Sequence, residues 1–312
     1  MSVIALDLGG TKLAAAVFEE TGNISHKRIY ALSGRGGNEV GELIRGAIKT
    51  LQHEAAHEHI PVTGIGICVP GISNTKTDTV WAPNIRGWEE YPLRKEIQDA
   101  VKNRNLKVVV DNDRACSVLG EKWKGAAQHC DHVVFIAVGT GIGAGIIADG
   151  KVLRGANDIS GATGWMALGR PYEEKYKSCG CFEYYASGEG IVRSAKEFIG
   201  SNKNYDGILK KYHQLTAKDI FSAYATGDLV ARQTIKQTIE LWGMAAANFI
   251  SIFNPEKIIF GGGVFSPAAE FLPDIKKEAE KWAQPIAIKQ VEFVVSLLGK
   301  DAALFGAASL AF

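Results

Sequence analysis

Two short glycine turns hold the side chains best suited to chemistry. DLGGTK runs from Asp7 to Lys12, and VGTGIGAG from Val138 to Gly145. Each lies between two apolar runs. Gly9, Gly10, Gly139 and Gly141 leave backbone N–H groups free and present no Cβ to block an approaching phosphate. Thr11 and Thr140 add hydroxyl donors, and Lys12 adds a cation suited to a transferred phosphoryl group. Asp7, at a strand end, is placed to hold a water on Mg²⁺, a hard cation that keeps most of its waters. Either turn alone is equally a tight hairpin. A third run, Gly261-Gly262-Gly263 after the strand EKIIF, makes the set far more specific. The spacing excludes two familiar phosphate sites. A strand follows GTGIGAG where a dinucleotide fingerprint needs a helix, and no GxxxxGK[ST] occurs.

The elements that must position these turns form a pattern that recurs. VIALDLGG is a strand ending in the first turn. TKLAAAVF is a second strand, with Glu20-Thr21-Gly22-Asn23 turning to a third. Val40, Leu43, Ile44, Ile48 and Leu51 give helical spacing over Glu39–Glu54. GIGICVPGI is a strand ending at Pro70-Gly71. A helix is expected over Trp88–Asn103, and KVVVDNDRACSVLGEKW reads as strand, polar turn and helix. HVVFIAVGTGIGAGIIADGKVL then repeats the opening in outline, with Asp149-Gly150 as a hairpin turn. Helices are expected over Glu183–Ile199, Thr216–Gly227 and Leu229–Phe253, strands at EKIIFGGGV and VEFVVSL, and a last helix over Ala302–Ala311. This repeat predicts two related α/β lobes, 1–115 and 116–299, with residues 300–312 packing back on the first and a ligand cleft between the lobes. Facing phosphate turns with a nucleoside pocket near the third are what a two-lobed actin-like ATPase (RNase H-like) fold requires.

Composition removes other classes of function. The chain has 312 residues and a net charge of +1, with no basic patch to suggest a nucleic-acid partner. No targeting leader is expected from the opening MSVIALDLGG, and no apolar stretch of the sequence is long enough to suggest a membrane span. Five cysteines without a spaced framework fit a reducing cytoplasm.

DLGGTKLAAAVF, GIGICVPGI, APNIRGW, DNDRAC, AVGTGIGAGII, NPEKIIFGGGV and KDAALFGAASLA occur in the order seen in the ROK family of sugar kinases and repressors, and the chain resembles that family from Val3 to its end. The resemblance implies ATP with Mg²⁺, phosphorylation of a hexose at its 6-hydroxyl, and a homodimer. Asp113 matches the family's catalytic base; as sequence, it is also a candidate N-cap of the following helix. Pro70 and Gly71, Asn84, Asn112 and Glu183 match sugar-contacting positions. Glu183 is equally a first-turn acid. The family's repressors carry a DNA-binding segment ahead of the first glycine turn; with Asp7 at position 7 none is expected here, and a kinase is expected rather than a repressor. The alternative from another class is a non-catalytic sugar-binding or regulatory protein on the same fold. Polyphosphate remains open as a donor.

The chain departs from the family at one place. Many members carry AGExGHM where this chain has SGATGWM, Ser160 to Met166, so Ala162 and Trp165 stand where a sugar-binding glutamate and histidine would be. In the family that histidine joins three cysteines around a structural zinc. Here only Cys181 aligns with one of them, and the other two fall near Glu174 and Tyr176. No structural zinc is expected. The segment 172–176 must then be held by packing, with Pro171, Tyr172 and Tyr176 as anchors. Trp165 is either part of an altered sugar surface, favouring a hexose such as an amino sugar, or a core residue filling the space of the zinc module. Asp158 is a candidate replacement carboxylate.

Overall fold

The computed structural model describes residues 1–101 and 106–312. They form two compact units. The first comprises residues 1–129, 152–160 and 301–312; the second comprises 130–151 and 161–300.

The first unit opens with β1 (Ser2–Leu8), β2 (Lys12–Glu19) and β3 (Ile24–Ala31) as an antiparallel meander. After α1 (Gly37–His57), β4 (Val62–Val69) pairs parallel to β1. A small hairpin follows, β5 (Ile72–Asn74) and β6 (Thr79–Trp81). Then come α2 (Leu93–Ala100), β7 (Lys107–Asn112), parallel to β4, and α3 (Asp113–Lys124). The sheet order is β3-β2-β1-β4-β7.

Period-2 alternation sends the strand side chains to two cores. Ile4, Leu6, Leu13, Ala15 and Val17 pack with Val40, Ile44 and Leu51 of α1. Val3, Ala5, Ala16 and Phe18 pack on the opposite face with Cys116 of α3 and Leu304 and Ala307 near the C-terminus. The sheet and that last helix meet backbone to backbone, since a Cβ on Gly66 would lie 1.7 Å from Ala307 O.

The second unit repeats the topology. β8 (Val133–Val138), β9 (Ile142–Ala148) and the short β10 (Lys151–Val152) lead to α4 (Cys181–Ala186), α5 (Gly188–Ser201), α6 (Ala217–Ala225) and α7 (Leu229–Phe253). Strand β11 (Lys257–Gly261), α8 (Leu272–Ala279) and β12 (Glu292–Val295) complete it, in the order β10-β9-β8-β11-β12. The final helix, α9 (Ala302–Ala311), belongs to the first unit, where it packs on α3, β1 and β4. The close packing of α3 on α9 carries the first unit through α3 to His129.

Four segments differ from expectation. The helix expected over Trp88–Asn103 begins only at Leu93, because Trp88 and Tyr91 stack at 4.3 Å and the Trp88 indole Nε1–H donates to Gly37 O, which holds 88–91 out of helical geometry. Lys102 and Asn103 lie outside the described residues. The helix expected over Glu183–Ile199 is two helices. Ser187 takes an extended conformation and its side chain accepts from Gly190 N–H, ending α4 and capping α5. Helix α8 and the β5–β6 hairpin were not anticipated; they lie in short stretches without a clear period. No helix among the described residues is long and apolar enough to cross a membrane.

Candidate active site

In the first unit the chemistry gathers at the C-terminal ends of β1, β4 and β7. The first turn spans residues 9–11; Gly9 N–H donates to Lys12 O at 2.9 Å, and Thr11 and Lys12 are exposed. Asn84 reaches this turn, since a Cβ on Gly10 would lie 3.8 Å from Asn84 Cβ. Pro70 is buried, and Gly71 has φ +87° with a hypothetical Cβ 2.2 Å from Trp81 O, so only glycine fits this bend.

The capping duty at the start of α3 falls to Asn112, not Asp113. Asn112 Oδ1 accepts Ala115 N–H at 3.0 Å, and Asn112 is buried. Asp113 is thereby free to present its carboxylate, which is 53% exposed. The protein mass around it raises its pKa above the usual carboxylate range; the nearby Arg114 charge and backbone amides oppose the rise. The water-facing side of the group limits how far the shift can go.

Asp7 is pushed up to about 6. Burial is the largest cause, a hydrogen bond from the Cys68 thiol opposes it, and the Asp113 charge adds to it. The folded carboxyl therefore holds its proton to about pH 6, whereas the unfolded one releases it near 3.8. Its contribution to stability is greatest below pH 3.8 and is lost as pH rises to 6. In Mg²⁺-free buffer Asp7→Asn should raise the stability at pH 7 by about 1–3 kcal/mol. Thermal unfolding at pH 7 and pH 4 checks this: the gain should vanish at pH 4, and a gain equal at both would contradict it. The same uncompensated negative charge is what a divalent cation would relieve, so Asp7 fits a Mg²⁺ site on its hard-oxygen chemistry.

In the second unit Gly139, Thr140 and Gly141 join β8 to β9, with Gly139 N–H donating to Gly141 O at 2.9 Å, so that this amide, like Gly9 N–H in the first turn, closes its own turn and is not free for a phosphate as the sequence suggested. The break at Ser187 brings the start of α5 onto this turn, where Gly188 N–H donates to Gly139 O at 2.8 Å. A cavity of about 560 Å³ opens there, lined by Gly139, Thr140, Gly188, Arg193, Thr216 and Gly263, among others. Gly261 and Gly262 lead into it from β11. Gly262 has φ +91°, and a Cβ on it would lie 2.4 Å from Val138 O. The cavity size suits a nucleotide-sized ligand. Sequence reasoning missed Gly188, Arg193 and Thr216. The signal was available: serine followed by Gly188-Glu189-Gly190 is a poor helix interior and a good helix start.

SGATGWM and the segment after it meet at Glu183. Its Oε2 accepts Ile142 N–H at 2.6 Å, and burial raises its pKa, opposed by that bond and by Arg193. A Cβ on Gly164 would lie 2.9 Å from Glu183 Cβ, and one on Gly180 would lie 2.4 Å from Gly164 O. Gly164 and Gly180 are thus steric requirements of this packing. Trp165, beside them, is 58% exposed, which overturns the reading of Trp165 as core. Asp158 is not a replacement carboxylate. It is 5% exposed, and its Oδ2 accepts both Thr75 N–H and Thr75 Oγ1–H at 2.9 Å.

Tyr176, not Tyr172, anchors the segment that lacks the zinc cysteines. Tyr172 is exposed and meets the Tyr176 ring edge to face. Tyr176 is buried against Tyr184 and Tyr185, donates to Glu173 Oε1 at 2.7 Å, and has Lys175 Nζ 5.7 Å from its ring centroid. All five cysteines are free thiols. Among the described residues no group of three or more His, Cys, Asp or Glu is arranged to hold a metal.

Comparison with known proteins decides the family. The sequence matches the ROK family model over residues 3–312. The chain belongs to the ROK family. Within it, the glucokinase of Halalkalibacterium halodurans is 34% identical over 97% of this chain and 92% of its own. The structure of a ROK family glucokinase from Streptomyces griseus with glucose and AMPPNP is 30% identical, covers 99% of both chains and has a TM-score of 0.77. A Listeria monocytogenes protein, provisionally named an N-acetylmannosamine kinase, is 26% identical over 100% of this chain and 98% of its own, with a TM-score of 0.80. The α/β fold of this ROK protein is the actin-like ATPase fold of the family's sugar kinases.

Proposed function

We propose that the chain transfers the γ-phosphoryl group of ATP to the 6-hydroxyl of a hexose or amino-hexose, with Asp113 as general base. The observation that carries this reading is Asp113 itself. Asn112 relieves it of capping, its carboxylate is open to a ligand, and its surroundings raise its basicity toward neutral pH. Asp113 takes the hydroxyl proton as the sugar oxygen bonds to phosphorus, and ADP leaves.

The second unit supplies the nucleotide cavity. The amides of Thr140 and Gly141 and the Thr140 hydroxyl serve the phosphates, with Gly139 closing the turn behind them, and Gly261–Gly263 serve the nucleoside side. The first unit offers Gly9, Gly10, Thr11 and Lys12 to the transferred group. Bound Mg²⁺ would neutralise phosphate charge, and Asp7 would hold it through water. Pro70, Gly71, Asn84 and Asn112 are the proposed sugar contacts carried by the first unit, and Glu183 and Trp165 those carried by the second. ATP use is supported by the AMPPNP complex of the Streptomyces relative. A cytoplasmic homodimer belongs to the same proposal.

Trp165 sets the sugar class. Ala162 makes no bidentate contact with a diol, whereas the exposed indole offers an aromatic face and one N–H donor. A hexose carrying an amino or N-acylamino group near C1 to C3 should therefore be preferred. ADP release with glucose, glucosamine, N-acetylglucosamine and N-acetylmannosamine tests this. An amino or acylamino sugar should give the highest kcat/KM; glucose leading by a wide margin would overturn the altered-sugar reading.

A further inference from the structure

Residues 153–160 leave the sheet of the second unit after β10 and belong to the first. They close on themselves, Ser160 N–H donating to Arg154 O at 3.1 Å. Four sets of contacts then fasten this loop to the sugar side of the first unit. The Arg154 guanidinium pairs with the buried Asp111. Asp111 Oδ1 in turn accepts Asn112 N–H at 2.8 Å and Asn112 Nδ2–H at 3.3 Å. Asp158 receives both donors of Thr75, at the tip of the β5–β6 hairpin. Lys76 Nζ donates to Asn157 Oδ1 at 3.0 Å. Arg114, next to Asp113, donates to Ile159 O at 3.4 Å and to Gly71 O at 3.0 Å.

We propose that residues 153–160 are a positioning strap for the sugar subsite, with Arg154 fixing Asn112 through Asp111 and Asp158 fixing the hairpin between Gly71 and Asn84. The strap's effect falls on the residues assigned to the sugar and not on the nucleotide cavity, all of whose lining residues belong to the second unit. An amide such as Asn112 has its two N–H directions set by whatever holds its oxygen and one hydrogen. Here Ala115 N–H holds the oxygen and Asp111 holds a hydrogen, which leaves the second N–H of Nδ2 aimed in one direction. Freeing Asp111 from Arg154 removes the anchor of that arrangement. Asp158 has φ +58°, a conformation that asparagine also tolerates and alanine does not favour.

The inference rests on the kinase reading above, so the test begins with the wild type. ATP and whichever of glucose, glucosamine, N-acetylglucosamine or N-acetylmannosamine it turns over best are the two varied substrates; turnover of none defeats the kinase reading, not the strap. Arg154→Met and Asp158→Ala should each raise the KM for the sugar by about tenfold or more, at an ATP KM within about twofold of wild type. Asp158→Asn keeps both bonds from Thr75 and should restore a near-wild-type sugar KM. Arg154→Met leaves a buried carboxylate unpaired, and if it fails to fold, Arg154→Lys and the Asp158 pair carry the test. Sugar and ATP KM values that move together, or a sugar KM unchanged in folded Asp158→Ala, would overturn the strap.

Discussion

Asp113→Asn should lower kcat for ATP-dependent sugar phosphorylation by about 10²–10⁴-fold while leaving nucleotide binding intact. The substitution is nearly isosteric. The α3 cap comes from Asn112 and not from residue 113, so the helix start is kept. What is lost is the group that accepts the hydroxyl proton. The nucleotide cavity is lined entirely by residues of the second unit, whereas Asp113 belongs to the first. Steady-state kinetics with calorimetric titration of AMPPNP separates the two effects. Turnover within a few-fold of wild type would remove Asp113 as the base.

Gly262→Ala should cost about 2–3 kcal/mol of stability and raise the KM for ATP by about tenfold or more. Two causes act at once. The residue sits at φ +91°, where alanine is strained, and the added Cβ would lie 2.4, 2.7 and 2.8 Å from the O, C and N of Val138. These are backbone atoms at the end of β8 and cannot rotate away. Relief requires β8 and β11 to part at the point where the 139–141 turn begins. The sugar KM should stay within about threefold of wild type, because Pro70, Gly71, Asn84 and Asn112 lie in the other unit. Thermal unfolding with kinetics checks this; an unchanged ATP KM would mean that the third glycine turn does not shape the nucleotide site.

Much of the fold was legible because its signals are local. Glycine turns between apolar runs marked both hairpins, and unbroken helical periods marked Leu229–Phe253 and Ala302–Ala311, each of which is a helix over those residues. Ser187 was passed over although Gly188 and Gly190 after it suit a helix start, because the bond from Gly190 N–H to its side chain that ends one helix and caps the next appears only in the structure. The cap at Asn112 was equally hidden, because Asn112 and Asp113 are both good caps and only the fold decides between them.

At the site, motif residues could be read from sequence but their supports could not. Arg154 and Asp111 are 43 residues apart, and Asp158 and Thr75 are 83 apart. No spacing rule links such pairs. Trp165 shows the converse. Its replacement of a polar residue was visible in the sequence, but whether it faced core or solvent depended on Gly164 and Gly180 packing beneath it.

Phosphorus NMR of the wild type with ATP, Mg²⁺ and each of the four sugars tests the central claim most directly. The account predicts that ADP and a sugar 6-phosphate monoester accumulate together in equal amounts. ATP left unconsumed with every sugar, by a folded protein that still binds AMPPNP, would contradict it.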